Sequence, residues 1–191
     1  MTLFSTSLIN WHAESGRKDL PWQLDKNPYK VWVSEIMLQQ TQVTTASPYF
    51  VKFIKKFPSI ESLAESSQDD VMKIWSGLGY YSRARNLHKT AKIIMEELNG
   101  TLPHTIEDLL ELPGIGKSTA GAILALGYEI KAPILDANVK RVLARFKAIE
   151  GNLKKSRLNN ELWLIAESML PKKEISTYTQ AIMDLGATVC T

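Results

Sequence analysis

The sequence predicts an all-α protein built from short helices joined by short turns. Two observations carry that expectation. Apolar residues recur at steps of three and four, and no regular run alternates apolar with polar as a half-buried strand would. A third is punctuation by Pro, Gly and Asn-Gly between the periodic stretches. A first helix is expected over residues 3–14. A helical pattern then covers 29–56, with an interruption at Pro48, and a further helix is expected over 70–75. Ala84, Leu87, Ala91, Ile94, Met95 and Leu98 form one apolar stripe with Arg and Lys between them, closed by Asn99-Gly100 ahead of Pro103. Ile106, Leu109 and Leu110 mark a short helix ending at Pro113, and a small-residue helix runs from near Gly116 through Leu124. Val139, Val142, Leu143 and Phe146 make the next stripe. Leu162, Ile165, Ala166 and Met169 make another, ended by Pro171, and Tyr178, Ile182, Leu185 and Val189 make the last.

Of 191 residues, 45 % are hydrophobic and 23 % charged, the balance of a globular chain rather than a disordered one. The longest apolar run, 120–128, is far shorter than the ~20 residues of a membrane span. No basic start followed by an apolar core opens the chain, so a cytoplasmic protein with no membrane partner is expected. A single cysteine, Cys190, excludes a disulfide within the chain, and scattered His12, His88 and His104 offer no closed zinc site. The net charge of +3 is mild but segregated. Over 131–157, Lys131, Lys140, Arg141, Arg145, Lys147, Lys154, Lys155 and Arg157 face only Asp136 and Glu150. Over 82–92, Arg83, Arg85, Lys89 and Lys92 have no acid among them. Such segregation suits a polyanion-binding face, and equally two solvated helix faces.

The most informative string is Leu112-Pro113-Gly114-Ile115-Gly116-Lys117-Ser118-Thr119-Ala120. Gly114 and Gly116 allow a sharp turn with positive φ and remove side chains that would block a ligand. Free N–H groups at the new helix start can then hold an anion such as phosphate. Ile115 can plug the gap between the two helices. About twenty residues on, Asp136 follows Pro133-Ile134-Leu135 and reads locally as an N-cap. Glu35 is the only acid between Asp25 and Glu61, beside Trp32, Ile36, Met37 and Leu38. A carboxyl in apolar surroundings keeps its proton and can act as a general acid. Gln39, Gln40 and Gln42 offer amides suited to base edges.

These strings resemble a known family. The hairpin is similar to the helix–hairpin–helix of DNA repair glycosylases, and Asp136-Ala137-Asn138-Val139-Lys140-Arg141-Val142 resembles a second segment of that superfamily. Trp32-Val33-Ser34-Glu35-Ile36-Met37-Leu38-Gln39-Gln40-Thr41-Gln42-Val43 resembles the segment of adenine DNA glycosylases of the MutY type, and Gly77-Leu78-Gly79-Tyr80-Tyr81 adds a further match. The resemblance implies an all-α helix–hairpin–helix glycosylase core. It divides into a helical subdomain over 25–131, with the hairpin at 112–121, and a second over 1–24 plus 132–191. Its implied activity is monofunctional removal of adenine mispaired with 8-oxoguanine or guanine, in base excision repair.

The same resemblance assigns residues. Glu35 is the acid that protonates adenine, and Asp136 the carboxylate that stabilises the sugar cation. Asn138 helps to position Asp136 and the DNA, with Lys140 and Arg141 on the same segment. Gly114, Gly116, Lys117 and Ser118 belong to the phosphate grip. Tyr80 wedges into the base stack. Gln40, Thr41 and Gln180 contact adenine or its neighbours, and Trp22, Gln23 and Leu38 line the pocket. Double-stranded DNA with an extruded adenine is the implied partner, bound by a monomer at the nucleoid.

Three departures matter. Ala137 replaces the usual Gly. Lys117 replaces the usual Arg. Ser118 stands where bifunctional relatives similar to endonuclease III carry a Lys nucleophile, which implies no lyase step. Leu185-Gly186-Ala187-Thr188-Val189-Cys190 matches the approach to the first of four cysteines that hold a [4Fe–4S] cluster in the family. With Cys190 the single remaining ligand, the expectation is a truncated chain that does not assemble the cluster and lacks the family's Nudix-like domain. Two alternatives stay open: an endonuclease III-like lyase, and a non-catalytic helix–hairpin–helix DNA-binding fragment.

Overall fold

The computed structural model describes residues 2–153 and 155–191; Lys154 of the basic tract lies outside the described residues. It is all-helical, with no strand among the described residues. The helices run α1 (Leu3–Ser15), α2 (Pro28–Leu38), α3 (Val43–Lys56), α4 (Ile60–Ala64), α5 (Gln68–Trp75), α6 (Ser82–Glu97), α7 (Ile106–Leu110), α8 (Lys117–Ala122), α9 (Ala137–Phe146), α10 (Ser156–Ser168) and α11 (Ile175–Thr188). A π-type turn, Ile123–Gly127, prolongs α8.

Local chemistry starts most of them. Thr2, Asn27, Ser67, Thr105 and Asp136 each accept a hydrogen bond from a backbone N–H of the first turn, which satisfies one of the donors a helix start leaves open. Ser59 and Ser62 form a reciprocal capping box on α4. α6 closes as its pattern predicts: Asn99 (φ 52°) and Gly100 (φ 74°) turn left-handed, and the Gly100 N–H donates to the Ile94 carbonyl.

α2 is buried on most of its circumference, through Val31, Trp32, Val33, Ile36 and Met37. It packs on α3, α6, α8 and the π-type turn. α11 lies against α1, α9 and the same turn. Gly186 lets α11 and α9 meet, since a Cβ there would lie 2.6 Å from the Cβ of Asn138. One continuous apolar core runs through both groups of helices.

Four expectations are corrected. The 29–56 pattern breaks at residues 39–42, where Gln40 turns left-handed (φ 58°), and not at Pro48. Pro48 sits inside α3, where its missing N–H deprives only the exposed Thr44 of a partner, a loss water can make good. Gly116 is extended (φ −94°) rather than left-handed; Gly114 alone in the hairpin makes the positive-φ turn (φ 84°). A Cβ at Gly116 would meet nothing within 4 Å, so this glycine keeps open space at the surface instead of bending the chain. Phe146 and Val189, read as apolar stripe positions, are both exposed at the ends of their helices, although the Phe146 ring still meets that of Phe4 at 4.4 Å. α4 was without a stripe long enough to announce it.

Candidate active site

A cavity of about 590 Å³ opens between α2, the start of α8, the N-terminus of α9 and the middle of α11. Glu35 reaches it from α2, and Asp136 from the cap of α9. Trp22, Leu38, Thr41, Ser118, Asn138, Arg141 and Gln180 also line it. Nine residues named from sequence thus converge on one space. Gln23 does not: its side-chain carbonyl accepts from the Leu20 N–H and shapes the preceding turn. Lys117 and Lys140 are also outside the lining.

The two carboxyls share a cavity but not an environment. Burial pushes the Glu35 carboxyl up to about 8, and the negative charge of Asp136 adds to the effect. Among the described residues no side chain or N–H donates to Glu35, so nothing compensates its charge. Burial raises Asp136 as well. Against that stand the Val139 N–H at 2.8 Å, the Asn138 amide at 3.3 Å and the charge of Arg141. Asp136 is therefore a helix cap and a cavity carboxylate at once, and the capping bond itself favours its anion. Arg141 is fixed in turn by Asn138 at 2.9 Å and by the Gly186 and Cys190 carbonyls of the α11 end.

Opposite them, Asp184 is fully buried and takes the Arg17 guanidinium at 2.6 and 2.9 Å, the Arg17 N–H at 2.9 Å and the Gln180 amide at 3.0 Å. Since a carboxylate only accepts, the Gln180 nitrogen faces Asp184 and its oxygen is left for the cavity. Sequence reading missed Arg17 and Asp184. One basic and one acidic residue 167 positions apart carry no local signal.

A smaller cavity of about 210 Å³ adjoins the first, with Gln39 in both walls. Ile36, Gln40, Tyr80, Ser82, Arg83, Asn86 and Gly114 complete it. Gln40 and Tyr80 therefore stand outside the carboxyl cavity, at its rim. Tyr80 is 56 % exposed and left-handed (φ 47°), and Tyr81 is exposed too, so neither ring is a packed staple for α6. A non-glycine residue in that region costs about 1–2 kcal/mol.

The hairpin presents Gly114 and Gly116 at the surface while Ile115 is buried between α7 and α8, as its plugging role predicts. The first amides of α8 have no side-chain cap. The Lys117 ammonium lies 4.3 Å from the Trp163 ring centroid of α10, and Ser118 accepts the Leu135 N–H at 3.2 Å. Of the basic tracts, Arg83, Arg141 and Arg145 are engaged within the protein; Arg85, Lys89, Lys92, Lys131, Lys147, Lys155 and Arg157 are exposed.

Residues 33–168 match the HhH-GPD superfamily of base excision DNA repair proteins. The chain belongs to that superfamily. Within it, the chain is 50 % identical over 188 residues to the adenine DNA glycosylase of Buchnera aphidicola subsp. Baizongia pistaciae, covering 98 % of this chain and 53 % of that one. It is 51 % identical to the adenine DNA glycosylase of Buchnera aphidicola subsp. Acyrthosiphon pisum, covering 98 % and 54 %. The chain thus spans about half the length of the curated relatives it matches. The solved structure of a thermostable thymine-DNA glycosylase superposes with a TM-score of 0.88 at 27 % identity, over 99 % of this chain and 87 % of that one. No helix among the described residues is long and apolar enough to cross a membrane.

Proposed function

We propose that this HhH-GPD protein is a monofunctional DNA glycosylase that hydrolyses the N-glycosidic bond of adenine mispaired with 8-oxoguanine or guanine. The observation that carries the reading is that Glu35 and Asp136 line one cavity with different partners, none for Glu35 among the described residues and an N–H, an amide and a guanidinium charge for Asp136; relatives named adenine DNA glycosylase support it. Adenine leaves poorly as an anion, and the sugar it leaves gains oxocarbenium-like positive charge. Glu35, protonated near neutral pH, donates to N7 of the base. Asp136, whose charged form Val139, Asn138 and Arg141 favour against the opposing effect of burial, stabilises the cation before water adds. Gln180, with its oxygen turned to the cavity, accepts from the exocyclic amine, and Trp22 and Leu38 enclose the ring.

Double-stranded DNA is the partner we infer, which places the protein's work at the nucleoid. The hairpin amides and Lys117 grip phosphate, Lys140 and the exposed lysines add charge, and the base enters the cavity extruded. Ser118 lines the cavity while Lys117 is turned to Trp163, which supports hydrolysis without a Schiff base. A [4Fe–4S] cluster takes four thiolates. The chain supplies one, and no group of three or more His, Cys, Asp or Glu among the described residues could hold a metal, so these residues do not fit that cluster.

The test is single-turnover release of adenine from a duplex with adenine opposite 8-oxoguanine, with and without alkali. Alkali-dependent strand cleavage that is lost in Glu35→Gln and in Asp136→Asn is the expected result. DNA binding without turnover by folded protein overturns the reading in favour of a binding module.

A further inference from the structure

Outside the carboxyl cavity, both terminal nitrogens of Arg83 are hydrogen-bonded within the protein, while its Nε is buried without a partner. Although an arginine, it is only 8 % exposed. One terminal nitrogen donates to the carbonyls of Ile36 at 3.0 Å, Met37 at 2.7 Å and Gln39. The other donates to the Thr41 hydroxyl at 3.1 Å and the Gly79 carbonyl at 3.3 Å. The guanidinium also lies 5.4 Å from the Trp75 ring centroid and 5.3 Å from that of Tyr80. One side chain therefore satisfies the open carbonyls at the end of α2, anchors the loop after it, and holds the loop before α6.

Those two loops carry Gln40 and Tyr80. Both are exposed, both are left-handed, and both line the small cavity that runs from Gln39 to Gly114 of the hairpin. Left-handed non-glycine residues persist where surrounding bonds over-determine them and gather at functional sites. Arg83 is the one side chain here that bonds both loops, with the Trp75 indole N–H on the Gly79 carbonyl at 3.0 Å and the Thr41 N–H on the Leu38 carbonyl at 3.3 Å as further local ties. An exposed ring and an exposed amide, fixed side by side between the carboxyl cavity and the hairpin, are placed to enter a base stack when a nucleotide leaves it. We propose that Arg83 is a positioning residue: it locks Gln40 and Tyr80 into the rim whose tyrosine, by the family resemblance, wedges into the base stack, so that base extrusion depends on the guanidinium fork. The proposal rests on the DNA glycosylase reading but concerns extrusion, which precedes the chemistry.

Extrusion is read without chemistry on a duplex whose target is 2′-fluoro-2′-deoxyadenosine opposite 8-oxoguanine, with 2-aminopurine beside the target. The 2′-fluorine disfavours the sugar cation, so the bond stays intact while 2-aminopurine brightens as its stack opens. Wild type is expected to bind and brighten the duplex. Arg83→Lys keeps the charge but not the fork, and is expected to lose most of the brightening while its Kd stays within about threefold, because phosphate contacts carry the affinity. Tyr80→Ala is expected to do the same, and the double variant no more than Tyr80→Ala alone. Thr41→Val, which removes one of the five acceptors and leaves the core intact, is expected to lose a smaller share. Full brightening in folded Arg83→Lys overturns the proposal, as does loss of Kd and brightening in parallel, or a double variant worse than Tyr80→Ala. If Arg83→Lys does not fold, full brightening with Thr41→Val overturns it. Wild type that binds without brightening overturns it as well. Brightening by wild type with no adenine release from the ordinary substrate strikes the glycosylase reading and leaves the rim standing.

Discussion

Glu35 and Asp136 face one cavity from two kinds of backbone. Glu35 projects from the last turn of α2, where the helix has already used its own amides and the neighbours are Trp32, Ile36 and Met37. Asp136 stands at the open start of α9, where an N–H, an amide and a guanidinium converge on it. Burial raises both groups. Only at Asp136 do hydrogen bonds to the charged form oppose it. The placement of a carboxyl along a helix, within its body or at its cap, thus gives the two groups different partners within the same space.

The comparison breaks most visibly in activity. Glu35→Gln and Asp136→Asn are each expected to lower the single-turnover rate by about 10³-fold or more, and the double variant by far less than the product, since the two act on one transition state. Additive losses would mean that the two act in separate steps.

Stability is expected to separate the two sites in sign. The folded protein keeps the Glu35 proton up to about pH 8, while the unfolded chain releases it near 4.5. Between those values folding takes up a proton, so stability falls as pH rises. Glu35→Gln removes that loss. It is expected to stabilise the protein by about 2–4 kcal/mol at pH 9 and by nothing measurable at pH 4, read by urea unfolding. Asp136→Asn keeps an N-cap and is expected to change stability little, whereas Asp136→Ala costs about 1 kcal/mol through the lost bond to Val139.

The pH–rate profile sharpens the same contrast. Activity is expected to fall above about pH 8 as Glu35 ionises and to fall on the acid side as Asp136 takes up a proton. Arg141→Met removes a charge that favours the Asp136 anion, so the acid limb is expected to move to higher pH. An acid limb that stays in place would remove Arg141 from the account of Asp136.

The smallest effect is expected at the hairpin. Lys117→Ala should weaken DNA binding a few-fold and reduce its salt slope by about 1. Borohydride should trap no covalent DNA adduct on either protein. An adduct that disappears in Lys117→Ala would restore the lyase alternative.

Much of this was legible in the chain. The Asn99-Gly100 stop of α6, the Asp136 cap, the Gly114 turn and the buried Ile115 follow from local sterics and hydrogen bonding, which residue order specifies directly. The break at residues 39–42 was not, because the bonds that hold the Gln39 carbonyl and Thr41 come from Arg83, more than forty residues away. Gln23 looked like a pocket amide and is a turn device, since its partner is its own neighbour Leu20. Arg83 looked like part of a basic face and is buried, because the carbonyls at the end of α2 need donors more than the surface needs charge.

By itself the sequence determined which residues are chemically able to act: a carboxyl among apolar neighbours, a carboxyl at a helix start, a glycine hairpin and a Gly-Tyr-Tyr loop. These depend on side-chain type and short spacing. The tertiary structure decided what they do together. It brought Glu35 and Asp136 into one cavity, turned the Gln180 oxygen inward by giving its nitrogen to Asp184, and tied the Gln40 and Tyr80 loops to one guanidinium. Each of those outcomes depends on desolvation and on contacts between distant parts of the chain, and neither exists until the helices pack.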